Sequence, residues 1–491
     1  MLDAIPRWDV FGPVLYVTVG ALVALLVDGA ASVRRRRGVG AGSPSRRGPL
    51  LALTSSIALA AVLLSAWGSL VGSVEPAFDT RTGLFIVDRL TSVGTLILAS
   101  AALVTLWLSV TMLSVARLEQ GSFHALVLLA SAGMFVAIGS GHLAFLYVGL
   151  ELASLCLSLL AAYDGRRAAS LEAGLKLHLM GGFASGIMLF GMALLYGATG
   201  ELRYGALWAA LDGSDWLGLA GLGLLLCGLL FKLAVFPFHQ WVSDVFEGAP
   251  AFASGYLAVA MPTTAVIVLL RLLDEAIPAG FAPVPELLKV LAVASIVVGH
   301  GLALVARSVK RMLACAGIAH SGHLALGLAC SSTEAFEAVL FYVFVYAFIA
   351  LGAHGLAASM AHGGREIETT DDFAGLAGVR PVAAVALSIF LLALAGLPGT
   401  GGFWALYNLF SAAVAEGAML PVVVALIGVG VSWRYLLAIP VAMFTRPAPR
   451  GGTTALSTAE VVVLGLCTAV VLYLGWRPAP GLADVLSGLV R

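Results

Sequence analysis

The sequence predicts an all-α polytopic membrane protein with about fourteen transmembrane helices, and three observations predict it. Of 491 residues, 60% are hydrophobic and only 11% are charged, whereas a soluble domain carries roughly 25% charge. Mean hydropathy is +1.01. Apolar runs of about 20 residues, the length that crosses a bilayer, follow one another with short polar breaks. Lys+Arg and Asp+Glu both number 27, for a formal net charge of +0. That balance excludes a nucleic-acid binder, which needs a basic surface, and the apolar content excludes a disordered chain or a soluble enzyme.

Taken in order, the expected spans are 10–28, 49–72, 90–113, 122–140, 142–162, 169–197, 216–238, 251–273, 286–306, 311–331, 335–358, 381–411, 419–444 and 456–476. The N-terminal segment carries Asp3 and Asp9 rather than a basic stretch. A cleavable signal has the opposite charge order, so 10–28 reads as a retained first span. Alternation through fourteen spans puts Arg34–Arg37, Arg46/Arg47, Arg166/Arg167 and Arg307/Lys310/Arg311 on one side. By the positive-inside rule that side is cytoplasmic, with both termini on the outer, periplasmic side of a bacterial inner membrane. Cys156, Cys227, Cys315, Cys330 and Cys467 lie in apolar stretches without CxxC or Cys/His spacing. They read as small buried hydrophobes, so no iron–sulfur, zinc or haem ligand set is expected, nor any nucleotide loop.

Two spans are interrupted by proline. The seventh contains FKLAVFPFHQW with Pro237, and the twelfth contains LLALAGLPGTGGFW with Pro398. They stand five spans apart. Matching broken helices at corresponding positions point to an internal repeat with an ion pathway at the breaks. Five is odd, so the repeats, helices 4–8 and 9–13, are expected to be inverted relative to one another. The expected organisation is a three-helix segment (1–118), a first repeat (119–275), a second repeat (276–445) and a last helix (446–491).

Charges inside a membrane cost at least about 2.5–3.5 kcal/mol and are usually paired and functional. Glu151 falls near the middle of the fifth span, and Lys232 sits five residues before Pro237. An opposite charge favours the charged form of such a group. An amine whose carboxylate partner can move away is therefore a proton switch. His300, His320 and His323 fall in the ninth and tenth spans, and histidine can relay protons near neutral pH. His323 follows His320 by three residues, on nearly the same helical face. Glu172 and Lys176 form an i,i+4 pair with the acid first, the favourable order. Arg271 and Asp274 close the eighth span at i,i+3, and cap or solvated-end roles are expected for them. His239, Asp244 and Glu247 are expected to order the turn after the broken seventh span.

FKLAVFPFHQWVSDVFEGAP (231–250) resembles the broken-helix segment of the antiporter-like subunits of respiratory complex I. Its Glu-Gly-Ala-Pro ending resembles the form typical of subunit N of bacterial NADH:quinone oxidoreductase. GLELASL around Glu151, ASLEAGLKLHLMGGFASGIMLFGMALLYGATG and VKRMLACAGIAHSGHLALGL are similar as well, and the likeness runs from about residue 85 to 445. The resemblance implies inverted five-helix repeats and proton translocation coupled to NADH–quinone electron transfer. It implies that NADH, FMN, iron–sulfur clusters and quinone are handled by partner subunits, none by this chain. It also implies M-, K-, J- and A-like membrane neighbours. Glu151 matches the family's fifth-helix glutamate, Lys232 its seventh-helix lysine and His320 a polar tenth-helix position.

Two family lysines are missing. Their positions are Pro262 in the eighth span and Leu406 in the twelfth, and no charged residue lies between Pro381 and Ala415. A leucine cannot carry a proton. The second half-channel is either dead or rerouted through water, Thr263, Thr264, His300, His320 or Tyr407. A non-pumping structural paralogue therefore stands as a rival reading. So does a subunit of an Mrp-type cation/proton antiporter or a membrane-bound hydrogenase, which share the fold.

Overall fold

A computed structural model of the chain describes residues 8–36, 47–71, 77–78, 84–211, 215–275, 283–330, 332–360, 368–447 and 456–476. Asp3, Arg37, Arg46 and the end of the last predicted segment, 477–491, lie outside the described residues, as do the side chains of Asp9, Arg34–Arg36 and Arg47. The described chain is nearly all helix. In order the helices are α1 (Trp8–Arg36), α2 (Arg47–Val71), α3 (Arg89–Ala116), α4 (Gln120–Ile138), α5 (Leu143–Ala161), α6 (Ala168–Thr199), α7 (Tyr204–Ala210), α8 (Trp216–Leu233), α9 (Val242–Gly248), α10 (Ala251–Glu275), α11 (Pro283–Val305), α12 (Val309–Leu328), α13 (Thr333–Ser359), α14 (Leu376–Val379), α15 (Pro381–Leu394), α16 (Gly401–Ala415), α17 (Met419–Leu436), α18 (Ala438–Thr445) and α19 (Thr458–Trp476). A two-residue antiparallel pair, β1 (Ala77–Phe78) with β2 (Ile86–Val87), precedes α3.

Among the described residues, twelve helices are long and apolar enough to cross a membrane. Two of the fourteen expected spans are not in that set, for physical reasons. The tenth is α12, whose Lys310, Arg311, His320 and His323 dilute its apolar character. The twelfth is split into α15 and α16, neither long enough alone. The seventh is also split: α8 ends at Leu233 and α9 resumes at Val242.

Lipid is as apolar as leucine, so packing between membrane helices depends on close backbone approach and on polar contacts. A Cβ on Gly133 would overlap backbone atoms of Gly149 and Ala153, so α4 and α5 cross at a Gly–Gly contact. A Cβ on Gly299 would meet the Ala319 backbone where α11 crosses α12. Each of these is the first helix pair of an expected repeat. The correspondence continues, because α6 packs on the broken α8–α9 and α13 packs on the broken α15–α16. Helix α10 lies at the centre, with 94% of its span buried, whereas α6, α11 and α17 are each 39% buried and line the outside.

Arg271 departs from expectation. It is not solvated. Its guanidinium is 2% exposed and donates two hydrogen bonds to Asp88, at 2.8 and 2.9 Å, and one to Thr91 Oγ1. Asp88 also caps α3 by accepting from the Thr91 N–H. Long-range packing brought a preferred bidentate partner to the arginine.

Candidate functional site

The break in the seventh span positions the central charge. Helix α8 ends in a left-handed Ala234 (φ 63°), and the following Phe236 N–H donates to Ser295 Oγ of α11 at 2.9 Å. The break is thus tied to the second half of the molecule. Lys232, on the last turn of α8, is 3% exposed at its side chain. Its Nζ lies 3.8 Å from Glu151 Oε1 of α5. The ammonium donates to Ser154 Oγ at 2.6 Å and to Ser185 Oγ at 3.2 Å. Ser185, on α6, donates in turn to Glu151. Three helices therefore converge on one cation, and a serine hydroxyl bridges it to the carboxylate. Glu151 is the outer member, 36% exposed, beside the exposed Val148, Leu152 and Leu155 of α5. The sequence singled out both charged groups but neither serine. Ser154 was legible, three residues after Glu151 on the same face; nothing in the sequence marked Ser185.

The histidines gather in the second half. His320 Nδ1 is 2.6 Å and His323 Nδ1 3.2 Å from the same Tyr342 Oη of α13. His300 Nδ1 contacts Tyr435 Oη of α17 at 2.9 Å. The rings of His300 and His323 are 6.1 Å apart. His300 Nε2 and His323 Nε2 are buried without a hydrogen-bond partner, which is rare for a buried polar atom. Tyr342 and Tyr346, spaced i,i+4 on α13, were missed in the sequence because tyrosine in an apolar helix is unremarkable.

Pro262 and Leu406, the positions where the resemblance leads one to expect lysines, each border a small cavity, and the two cavities share His320 and Tyr346. One, of about 30 Å³, is lined by Pro262 together with Ala234, Trp241, His320, Ser321 and Tyr346 among others. The other, of about 10 Å³, adjoins Leu406, with His320, Tyr342 and Tyr346 its polar neighbours. A water needs roughly 10–15 Å³ and two to four polar partners. The first cavity meets both conditions and the second lies at the limit of size. The other candidates for rerouting do not join this line. Thr264 Oγ1 donates to its own helix at Ala260 O, and Tyr407 is 54% exposed and stacked on Phe403. Thr263 is buried on α10. Pro398 stands between the left-handed Gly396 and Gly399, and Trp433 Nε1 donates to the freed Ala395 carbonyl at 2.9 Å.

Glu172 and Lys176 pair at 2.7 Å as their spacing predicts, and Lys176 also meets Asp244 of α9 at 3.1 Å. Arg311 binds Asp244 and Glu247 at 2.9 Å each. Lys310, expected as a topology signal, is buried and donates to Ala249 O at 2.8 Å. Glu172, Lys176, Asp244, Glu247 and Lys310 line a surface cleft of about 330 Å³ beside the start of α6 and the end of α9.

A helix bundle with two broken helices, a buried lysine paired with a half-buried glutamate, and a buried histidine–tyrosine cluster defines an antiporter-like membrane subunit. Residues 140–432 match the family described as NADH:quinone oxidoreductase/Mrp antiporter, TM. The chain belongs to that family. NADH-quinone oxidoreductase subunit N 2 of Roseiflexus castenholzii is 35% identical over 90% of this chain and 89% of that one. Subunit N of Halorhodospira halophila is 38% identical over 81% and 84%. A chain of respiratory complex I from Thermus thermophilus, solved with bound aureothin, superposes with a TM-score of 0.79 at 31% identity, covering 96% and 99%. A chain of the Mrp complex from a Dietzia species shares the fold at 21% identity, with a TM-score of 0.83 over 99% and 97%.

Proposed function

We propose that this chain is a subunit-N-like component of a respiratory NADH:quinone oxidoreductase and moves protons across the membrane. Electron transfer, with NADH, FMN, iron–sulfur clusters and quinone, takes place in partner subunits. The membrane neighbours are M-, K-, J- and A-like subunits, and Glu151 faces one of them. The chain sits in the bacterial inner membrane with both termini outside. Its working parts are the inverted repeats 119–275 and 276–445, flanked by 1–118 and 446–491.

The observation that carries the reading is Lys232 at 3.8 Å from Glu151, with Ser154 and Ser185 completing its contacts. While the pair is closed, the carboxylate favours the charged amine. When Glu151 is drawn away, Lys232 is a buried cation without a counter-charge and gives up its proton. The broken helix frees backbone groups that admit water at that point. His300, His323 and His320 form the relay of the second half, and the Glu172/Lys176 pair stands at the surface cleft. Lys232→Ala in the reconstituted complex is the test. Quinone reduction is expected to continue while fewer protons move per electron, and an unchanged ratio overturns the proposal.

One observation favours a second reading, a subunit that keeps the architecture without pumping. Pro262 and Leu406 stand where the family has lysines, and no charged residue replaces them on α15 or α16. Under that reading both Lys232→Ala and Glu151→Gln leave the proton ratio unchanged.

A further inference from the structure

One phenol oxygen, Tyr342 Oη, contacts the Nδ1 atoms of two buried histidines. A tyrosine hydroxyl has one proton to donate, and a neutral imidazole has one donor nitrogen and one acceptor nitrogen. Both histidines cannot accept from the same hydroxyl. If both hydrogen bonds form with neutral rings, Tyr342 donates to one Nδ1 and accepts from the Nδ1–H of the other. The two histidines therefore hold opposite tautomers. The distances suit donation to His320, at 2.6 Å, and acceptance from His323, at 3.2 Å, since O–H donors make the shorter bonds. His323 then presents a bare Nε2, buried and without a partner. The ring of His300, itself anchored to Tyr435 of α17, lies 6.1 Å from that of His323 between ring centres.

We infer that Tyr342 is a relay residue that carries protons between His323 and His320, joining α17 to the cavity beside Pro262 and bypassing Leu406. The inference rests on the proton-translocating reading given above. A proton arriving from the His300 side binds His323 Nε2. His323 releases its Nδ1 proton to Tyr342 Oη while Tyr342 releases its hydroxyl proton to His320 Nδ1. His320, now doubly protonated, gives up its Nε2 proton into the 30 Å³ cavity that it lines. One proton enters and one leaves, and the phenol stays neutral. Afterwards the two tautomers have exchanged, and the triad passes no second proton in that direction until the hydroxyl and rings reset. The setting of one hydroxyl thus selects the direction of transfer and admits a single proton per setting. The alternative route through Leu406 offers a cavity of only about 10 Å³ whose other lining, including Val345, Ile349 and Ala393, is apolar.

The test compares Tyr342→Phe with Lys232→Ala in the complete complex reconstituted in vesicles, reading protons moved per electron. The expected result is that each lowers the ratio while electron transfer persists. If Lys232→Ala lowers the ratio and Tyr342→Phe does not, the tyrosine relay is wrong and the lysine–glutamate reading stands. If neither lowers it, both fall. Because loss of the hydroxyl could unsettle α13, 3-fluorotyrosine at position 342 provides a second measurement with nearly the same shape. Its phenol is a stronger hydrogen-bond donor and a weaker acceptor, so the pumping rate is expected to change while electron transfer measured with the proton gradient collapsed does not. An unchanged pumping rate overturns the relay, since a packing role does not depend on phenol acidity.

Discussion

Glu151→Gln isolates the charge of the central pair from its shape. Gln is isosteric with Glu and can still accept the hydroxyl proton of Ser185, so the α5–α6 contact survives. The charge interaction does not. At 3.8 Å and an effective dielectric near 20, two unit charges attract by about 4 kcal/mol. Since 1.4 kcal/mol is tenfold, that corresponds to roughly a thousandfold bias toward the paired state. A switch that depends on making and breaking the pair loses its closed state altogether. Ser185→Ala provides the graded comparison. It removes the hydroxyl that bridges the two charged groups but leaves the ion pair and the Ser154 contact. The assay is the proton-to-electron ratio of the complex in vesicles, with quinone reduction followed in parallel. Glu151→Gln is expected to abolish this chain's share of the protons, and Ser185→Ala to reduce it less. Wild-type stoichiometry in Glu151→Gln, or a larger loss in Ser185→Ala, would refute the argument from charge.

The remaining predictions concern parts that hold the site in place. Asp88→Asn breaks a buried bidentate pair with Arg271 and is expected to destabilise the subunit by about 3–5 kcal/mol, read as a lowered melting temperature of the purified complex. Burial works to raise the Asp88 pKa, but the charge and hydrogen bonds of Arg271, with those of Thr91, hold it below the ordinary 3.8. The stabilisation is therefore full above about that pH and is lost as pH falls through the lower folded value; melts between pH 7 and pH 3 check the sign. Leu406→Lys places an ammonium where neither α15 nor α16 offers a carboxylate, so it is expected to lower stability by several kcal/mol without raising the proton ratio. A higher ratio in that variant would favour the scaffold reading of the natural chain. Gly402→Ala drives a methyl into the Ala393 carbonyl across the second helix break, and immunoblotting of membranes is expected to show reduced assembled subunit.

The fold was legible because its signal is local. Fourteen apolar runs, two proline breaks five spans apart and the basic loop clusters are all properties of short stretches of chain. Depth was legible too: counting residues from the ends of a span placed Glu151 near the middle of one helix and Lys232 just before the break of another. Partnership was not. Arg271 read as a helix-end residue with a neighbour at i+3, whereas it is bound to Asp88, 183 residues away. Lys310 read as a topology charge, yet its ammonium is buried against the Ala249 carbonyl.

The sequence by itself determined which charges were kept in an apolar setting and where helices had to break, because insertion cost and backbone hydrogen bonding act residue by residue. Only the tertiary structure decided which of those groups share a hydrogen bond. The crossing of α5, α6 and α8 brings Ser185 between Glu151 and Lys232, and the packing of α12 on α13 puts one tyrosine between two histidines. Such contacts depend on which helix faces meet across the bundle, and a helical period fixes a residue's own face but not the face opposite it.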